Sequence, residues 1–168
     1  YKIDAEILLC DILNTPKEKL FLNLDQKITR AEFQNFIYLI NRRKIKEPIA
    51  YLVKKKEFWK NDFYVNKNVL IPRPETESIV EASLEIINKK QRNRILEIGI
   101  GSGCVLTSIL KERKYCVGVG IDCSKKALNV AKFNANLHNI KNRIKIIKSD
   151  VDNFSSSKYD LVISNPPY

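Results

Sequence analysis

Methionine is absent from the 168 residues, tryptophan and histidine occur once each, and glycine appears only five times. With no initiating Met, a start at Tyr1 and a stop at Tyr168, we expect a piece of a longer protein. No apolar run approaches the ~18–20 residues of a membrane span and no signal peptide opens the chain, so no membrane role is expected. The four cysteines (Cys10, Cys104, Cys116 and Cys123) form no C-x-x-C pair and lie apart from His138. This excludes the tight ligand spacing of a zinc site and leaves no evident Cys–His nucleophile. We therefore expect no metal, and reduced, mostly buried thiols of the kind found in the cytoplasm. Low-complexity tracts are missing too. Hydrophobic residues make up 44% and charged residues 29%, which excludes disordered, collagen-like and mucin-like classes. A chain of this length can bury a core as one domain with a small appendage.

Acidic residues are scarce, 19 against 30 Lys and Arg, a net charge of +11. Such an excess suits an anionic partner. It also suits a plainer reading, because Lys, Ile and Asn fill 60 positions, the usage of an AT-rich genome. The excess is uneven. Residues 1–88 carry 15 basic and 13 acidic residues, and residues 89–168 carry 15 and 6, so an anionic ligand would be drawn to the second part.

The first part reads as helices. Ala5, Leu8, Leu9, Ile12 and Leu13 share one face at three-and-four spacing. Thr15-Pro16-Lys17-Glu18 and Thr29-Arg30-Ala31-Glu32 both have the form of capping boxes. Phe33, Phe36, Ile37 and Ile40 follow as an apolar stripe, expected to pack in a small helical bundle, and Pro48 ends the region. A hairpin is expected around Asn61-Asp62, flanked by Phe58-Trp59 and Phe63-Tyr64-Val65. Ile71-Pro72-Arg73-Pro74 must be extended, and a helix over about 75–90 should turn Ile79, Ser83, Leu84 and Ile87 inward. This predicts a helical domain over 1–48, a hairpin linker over 49–74 and a second domain over 75–168. Beyond Arg94, short apolar strands at 95–98, 117–121, 144–147 and 161–163 alternate with helices at 103–113 and 125–138, the latter capped by Ser124. Such alternation predicts right-handed crossovers and a parallel sheet, an α/β fold.

Three of the five glycines stand in Gly99-Ile100-Gly101-Ser102-Gly103, between the first of these strands and a helix. Glycines there let backbone N–H groups approach a ligand. The dinucleotide fingerprint would need glycine where Cys104 stands, and a P-loop lysine is lacking, which argues against a dehydrogenase and a P-loop enzyme. Asp122 ends the second strand, 23 residues after Gly99, where a carboxylate can accept both ribose hydroxyls of an adenosine. Asp150 ends the third and can accept from an adenine amine; a helix cap or turn is the structural alternative for each. Asn165-Pro166-Pro167-Tyr168 follows the fourth strand. Consecutive prolines remove two donors and stiffen the turn, leaving the Asn165 side-chain oxygen and the Pro166 carbonyl as fixed acceptors for a planar –NH₂, which Tyr168 can cover. A rigid turn is the alternative here. His138, on a helix, is expected at the surface, and no general base is evident.

Gly99-x-Gly101-x-Gly103, Asp122, Asp150 and Asn165-Pro166-Pro167-Tyr168 resemble the class I S-adenosylmethionine-dependent methyltransferases that modify planar nitrogens. Asp4-Ala5-Glu6-Ile7-Leu8-Leu9, Glu47-Pro48-Ile49-Ala50-Tyr51-Leu52, Glu57-Phe58-Trp59 and Leu70-Ile71-Pro72-Arg73-Pro74-Glu75-Thr76-Glu77 are similar to the HemK/PrmC family, the peptide chain release factor glutamine N(5)-methyltransferases. The resemblance covers the whole chain. It implies a helical N-terminal substrate-recognition domain, a β-hairpin linker and a Rossmann-like catalytic domain of which the first four strands are present. It implies S-adenosylmethionine as cofactor, held by Gly99, Ile100, Gly101, Ser102, Gly103, Asp122, Asp150, Val151 and Asn165. It implies the Gly-Gly-Gln glutamine of release factors as substrate, held by Asn165, Pro166, Pro167 and Tyr168 with Arg73 and Pro74. Val151 departs from the family, which often has an aromatic residue against the adenine. The family's catalytic domain continues beyond this motif. Some members are fused to a tRNA guanine N(7)-methyltransferase domain, so a nucleic-acid partner would come through a fused or missing C-terminal region. Three rival functions remain at this point: a DNA or RNA methyltransferase acting on adenine or tRNA guanine, a catalytically incomplete fragment acting as a binding module, and a dehydrogenase, disfavoured by Cys104 and the Asn-Pro-Pro-Tyr turn.

Overall fold

Helix and strand periods set the architecture of the computed structural model, which describes residues 2–23, 25–155 and 158–166. The chain divides into two compact units, Tyr1–Lys55 and Lys56–Tyr168.

The first unit is helical: α1 (Lys2–Ile12), α2 (Lys17–Leu22), α3 (Arg30–Lys44) and the single turn α4 (Ile49–Leu52). Leu8, Leu39 and Leu52 form its small core, with Ile12, Phe36 and Ile40 partly buried against them. Thr29 caps α3 as expected, its hydroxyl accepting from the Glu32 N–H while the Glu32 carboxylate accepts from the Thr29 N–H at 2.6 Å. Thr15 does not cap α2. The N-cap is Pro16, with no side-chain hydrogen bond. The stripe on α3 is only half inward. Phe36 and Ile40 are partly buried, but Phe33 and Ile37 are exposed and Leu39 is the buried residue, because three short helices cannot surround a fourth.

In the second unit a hairpin of β1 (Lys55–Phe58) and β2 (Asn61–Tyr64) turns at Trp59-Lys60, both with positive φ (47° and 61°), two residues before the expected Asn61-Asp62. Positive φ at both central residues is the turn that matches strand twist. The hairpin is not a mere linker. Phe58 and Phe63 are buried in the α/β core, the Trp59 N–H donates to Glu77 at 2.9 Å, and the Trp59 indole donates to Glu112 at 3.2 Å. Pro74–Thr76 form a 3₁₀ turn leading into α5 (Glu77–Ile86), shorter than expected, with Val80 and Ser83 fully inward and Ile79 and Leu84 partly so.

Then follow β3 (Arg94–Ile98), α6 (Cys104–Glu112), β4 (Val117–Asp122), α7 (Lys125–Leu137), β5 (Ile144–Lys148) and β6 (Leu161–Ser164). The sheet is parallel in the order β5-β4-β3-β6, so the chain steps outward one way from β3 and then returns to its other side. Ligands of open α/β sheets bind at the strand C-termini beside such a reversal. Every residue of α6 from Cys104 to Leu110 is buried, and glycine at 118 lets it pack close, since a Cβ there would lie 2.9 Å from the Leu106 methyls and force that side chain to move. Among the described residues of 149–160 no helix lies between β5 and β6. Among the described residues no helix is long and apolar enough to cross a membrane.

Candidate functional site

A cleft of about 860 Å³ opens where β3, β4, β5 and β6 end. That is within the range of about 300–1,000 Å³ common for small-molecule sites. Gly99 and Gly101 line it from the loop after β3, Asp122, Cys123 and Ser124 from the end of β4, Ser149, Asp150 and Val151 from the end of β5, and Asn165 and Pro166 from the end of β6. Asn68 to Leu70, with Arg73, Glu75 and Thr76, close it from the segment after the hairpin.

The loop is held from below. The N–H groups of Gly99 and Ile100 both donate to the Ile121 carbonyl at 2.9 Å, and Gly101 donates to Asp122 Oδ2 at 3.0 Å. Gly99, Gly101 and Gly103 all have positive φ, between 53° and 76°. At Gly99 a Cβ would meet nothing within 4 Å, so the missing side chain leaves room on the cleft side for a ligand to approach the backbone. Gly103 serves packing instead: it N-caps α6, and a Cβ there would press on Ala131 at 3.3 Å. Ile100 and Ser102 are buried; both border a smaller recess behind the loop that Glu97, Thr76 and Asn165 also line.

Asp122 does two things at once. Its Oδ2 holds Gly101 and its Oδ1 accepts from the Ser124 N–H at 2.8 Å, while the carboxylate still borders the cleft. A carboxylate oxygen has a second lone pair for a ligand hydroxyl. Asp150 is exposed and Val151 half-exposed at the cleft rim. Asn165 Nδ2 donates to the Thr76 hydroxyl oxygen at 3.3 Å. Arg73 borders the cleft, and Pro74 begins the 3₁₀ turn that carries Thr76. Pro167 and Tyr168 lie outside the described residues.

Three residues at this site escaped the sequence reading. Asn134 of α7 is fully buried and joins two distant segments: its Oδ1 accepts from the Tyr64 N–H at 2.8 Å, and its Nδ2 donates to the carbonyls of Tyr64 at 3.0 Å and Ser102 at 2.9 Å. The side chain thus pairs with β2 like a neighbouring strand while gripping the glycine loop. Glu97 of β3 is buried and accepts from the Leu106 N–H at 3.1 Å. Burial pushes its carboxyl up to about 8, partly opposed by that N–H and reinforced by the charge of Asp122. An acid amid the apolar residues of a strand was its only signal. Thr76 is the third.

His138 is half-buried at the C-terminus of α7, its ring 4.5 Å from that of Phe63, rather than on the surface; burial lowers its pKa. Two of the thiols, Cys104 and Cys116, are buried, whereas Cys123 is exposed and borders the cleft. Among the described residues no three His, Cys, Asp or Glu side chains cluster as metal ligands.

Residues 80–168 match the family described as methyltransferase small domain, and residues 1–53 match the PrmC N-terminal domain. A bifunctional methyltransferase of Rickettsia typhi is 38% identical over 186 aligned residues, spanning 99% of this chain and 36% of that protein. A release factor glutamine methyltransferase of Nitratidesulfovibrio vulgaris is 37% identical over 169 residues, spanning 99% of this chain and 57% of that protein. The chain thus spans about a third to three-fifths of the length of the curated relatives it matches. A human methyltransferase 10 domain containing protein shares the fold at a TM-score of 0.54 and 20% identity, over 65% of this chain and 55% of that one.

Proposed function

The chain belongs to the methyltransferase small domain family, and from that premise we propose that it transfers a methyl group from S-adenosylmethionine to the side-chain amide of the Gly-Gly-Gln glutamine in peptide chain release factors. The observation that carries this reading is one juxtaposition: Asn165 and Pro166 face the same cleft as Gly99, Gly101 and Asp122. The PrmC N-terminal domain match over residues 1–53 and the release factor glutamine methyltransferase relative favour an amide of that protein as the acceptor.

The residues fit the cofactor. The open face at Gly99 admits its backbone-contacting part, the Asp122 carboxylate suits two ribose hydroxyls, and Asp150 with Val151 suits an adenine edge and face. Once bound, it supplies an electrophilic methyl on sulfur. The chain's own contribution is positional. An amide nitrogen is a weak nucleophile because its lone pair is delocalised. Asn165 Oδ1 and the Pro166 carbonyl accept the two amide protons, draw electron density to the nitrogen and hold it in line for attack; such preorganised polar contacts are worth about 10²–10³ in rate each. The proton leaves the nitrogen during or after transfer. Arg73 and Pro74 flank the substrate. The helical unit recognises the folded release factor.

The test is methyl transfer from labelled cofactor to three acceptors: a release factor, the same factor with its Gly-Gly-Gln glutamine changed to alanine, and tRNA. Label on the first alone is expected. Label on tRNA alone replaces this reading with the nucleic-acid one, and cofactor binding with no transfer replaces it with a binding module.

A further inference from the structure

The Arg73-Pro74-Glu75-Thr76 segment is prominent in the sequence, and the mechanism above gives its last residue nothing to do. We propose that Thr76 is the positioning residue that fixes which way the Asn165 amide faces, an inference that rests on the amide-methylation reading.

A terminal amide has two nearly equal orientations half a turn apart, because its last torsion is broad and two-fold. Only one of them offers oxygen to a substrate –NH₂; the other offers a second –NH₂, which repels it. Something must choose. Asn165 Nδ2 donates to Thr76 Oγ1 at 3.3 Å, and an amide whose nitrogen is so engaged presents Oδ1 from its opposite edge.

Thr76 is built for this use. It stands at the N-cap of α5, where a threonine hydroxyl ordinarily accepts from a backbone N–H of the first turn. Here its backbone is helical (φ −70°, ψ −15°) rather than extended, and its side chain makes no capping bond. The hydroxyl is thereby directed to Asn165. The residue itself is held firmly: it is buried, its N–H donates to the Arg73 carbonyl at 3.0 Å, and Pro72 and Pro74 stiffen the approach. A β-branched side chain adds a restricted first torsion. Segment 73–76 and the end of β6 border the same cleft, 89 residues apart in sequence.

Two variants of the full-length protein test the proposal. Thr76→Val keeps the shape and removes the hydroxyl, acceptor and donor alike; Thr76→Ser keeps the hydroxyl. NMR of the unliganded protein reads the Asn165 side-chain amide protons. In the wild type and Thr76→Ser they should exchange slowly and show contacts to residue 76; in Thr76→Val both features should vanish. In single-turnover methyl transfer to release factor, Thr76→Val should be slowed about tenfold, the value of one lost hydrogen bond of about 1.4 kcal/mol, and Thr76→Ser should stay within about threefold of wild type. Thr76→Ser should bind S-adenosylhomocysteine as tightly as Thr76→Val does, so that a difference in rate between the two reads the acceptor and not the cofactor. A Thr76→Val enzyme with wild-type rate, a Thr76→Ser enzyme no better than it, or amide signals indifferent to the substitution overturns the proposal. Failure of the wild type itself to methylate release factor overturns the functional reading, and Thr76's catalytic purpose with it, while the NMR signals still decide the bond.

Discussion

The two units hold together by different means. In Tyr1–Lys55 a core of Leu8, Leu39 and Leu52 is small, and Phe21, Leu22, Phe33, Ile37 and Tyr38 remain exposed. Polar organisation there is ionic and near the surface: Asp4 pairs with Arg43 at 2.7 Å, Glu6 with Lys17 at 2.9 Å, and Glu47 with Arg42. In Lys56–Tyr168 the polar organisation reaches into the interior and runs through backbone groups. Asn134 joins three backbone groups, and Arg113 reaches the carbonyls of Ile87 and Leu84 from inside. A buried hydrogen bond is expensive to leave unmade, whereas an exposed ion pair is nearly dispensable. Breaking a polar contact should therefore cost more in the second unit than in the first.

The largest effect that sharpens this contrast is expected at Asn134. Asn134→Ala strands one N–H and two carbonyls in the interior, at about 1–3 kcal/mol each, so a total loss of roughly 3–5 kcal/mol is expected after relaxation. Urea unfolding measures it. A loss under about 1 kcal/mol would show that the buried network is no stiffer than the surface pairs.

The next effect is a pH slope. Glu97 titrates at about 8 in the folded unit against an ordinary 4.5. Between those values the unfolded chain has released the proton and the folded one keeps it, so folding takes up a proton and stability falls as pH rises. The contribution is fully present below about 4.5 and lost above about 8, with a slope of at most about 1.4 kcal/mol per pH unit. Glu97→Gln retains an acceptor for the Leu106 N–H and removes the titration. Its unfolding midpoint should vary less than the wild type's across that window; equal slopes would place Glu97 in contact with water.

The smallest belongs to the helical unit. Asp4→Asn removes the charge facing Arg43 and costs about 0.2–1 kcal/mol at low salt, less at high salt. A loss as large as that at Asn134, or one indifferent to salt, would dissolve the contrast between the units.

Much of the second unit was legible beforehand. The four strands, the parallel sheet and the helix capped by Ser124 follow from apolar runs separated by amphipathic ones, and the HemK/PrmC resemblance, carried by contiguous motifs, agrees with the family matches at both ends of the chain and with relatives aligned along nearly all of it. The hairpin turn was misplaced because Asn-Asp is a strong turn signal by composition, whereas here Trp59 and Lys60 take positive φ and Asn61 instead bonds back to the Trp59 carbonyl at 2.6 Å. The stripe on α3 read as core because periodicity reports an apolar face and says nothing of how much partner there is to cover it.

What the sequence by itself determined is local: which segments become helix or strand, where glycine permits positive φ after β3, and where paired prolines follow Asn165. Those outcomes depend on sterics and on hydrogen bonds within a few residues of each other. What only the tertiary structure decided is which polar groups meet. Asn134 reaches Tyr64 across 70 residues and Ser102 across 32, Glu97 lies beneath α6, and Thr76 faces Asn165 across 89. None of these follows from a helix or strand period, because each contact exists only once separate elements pack together and exclude the water that would otherwise satisfy both partners.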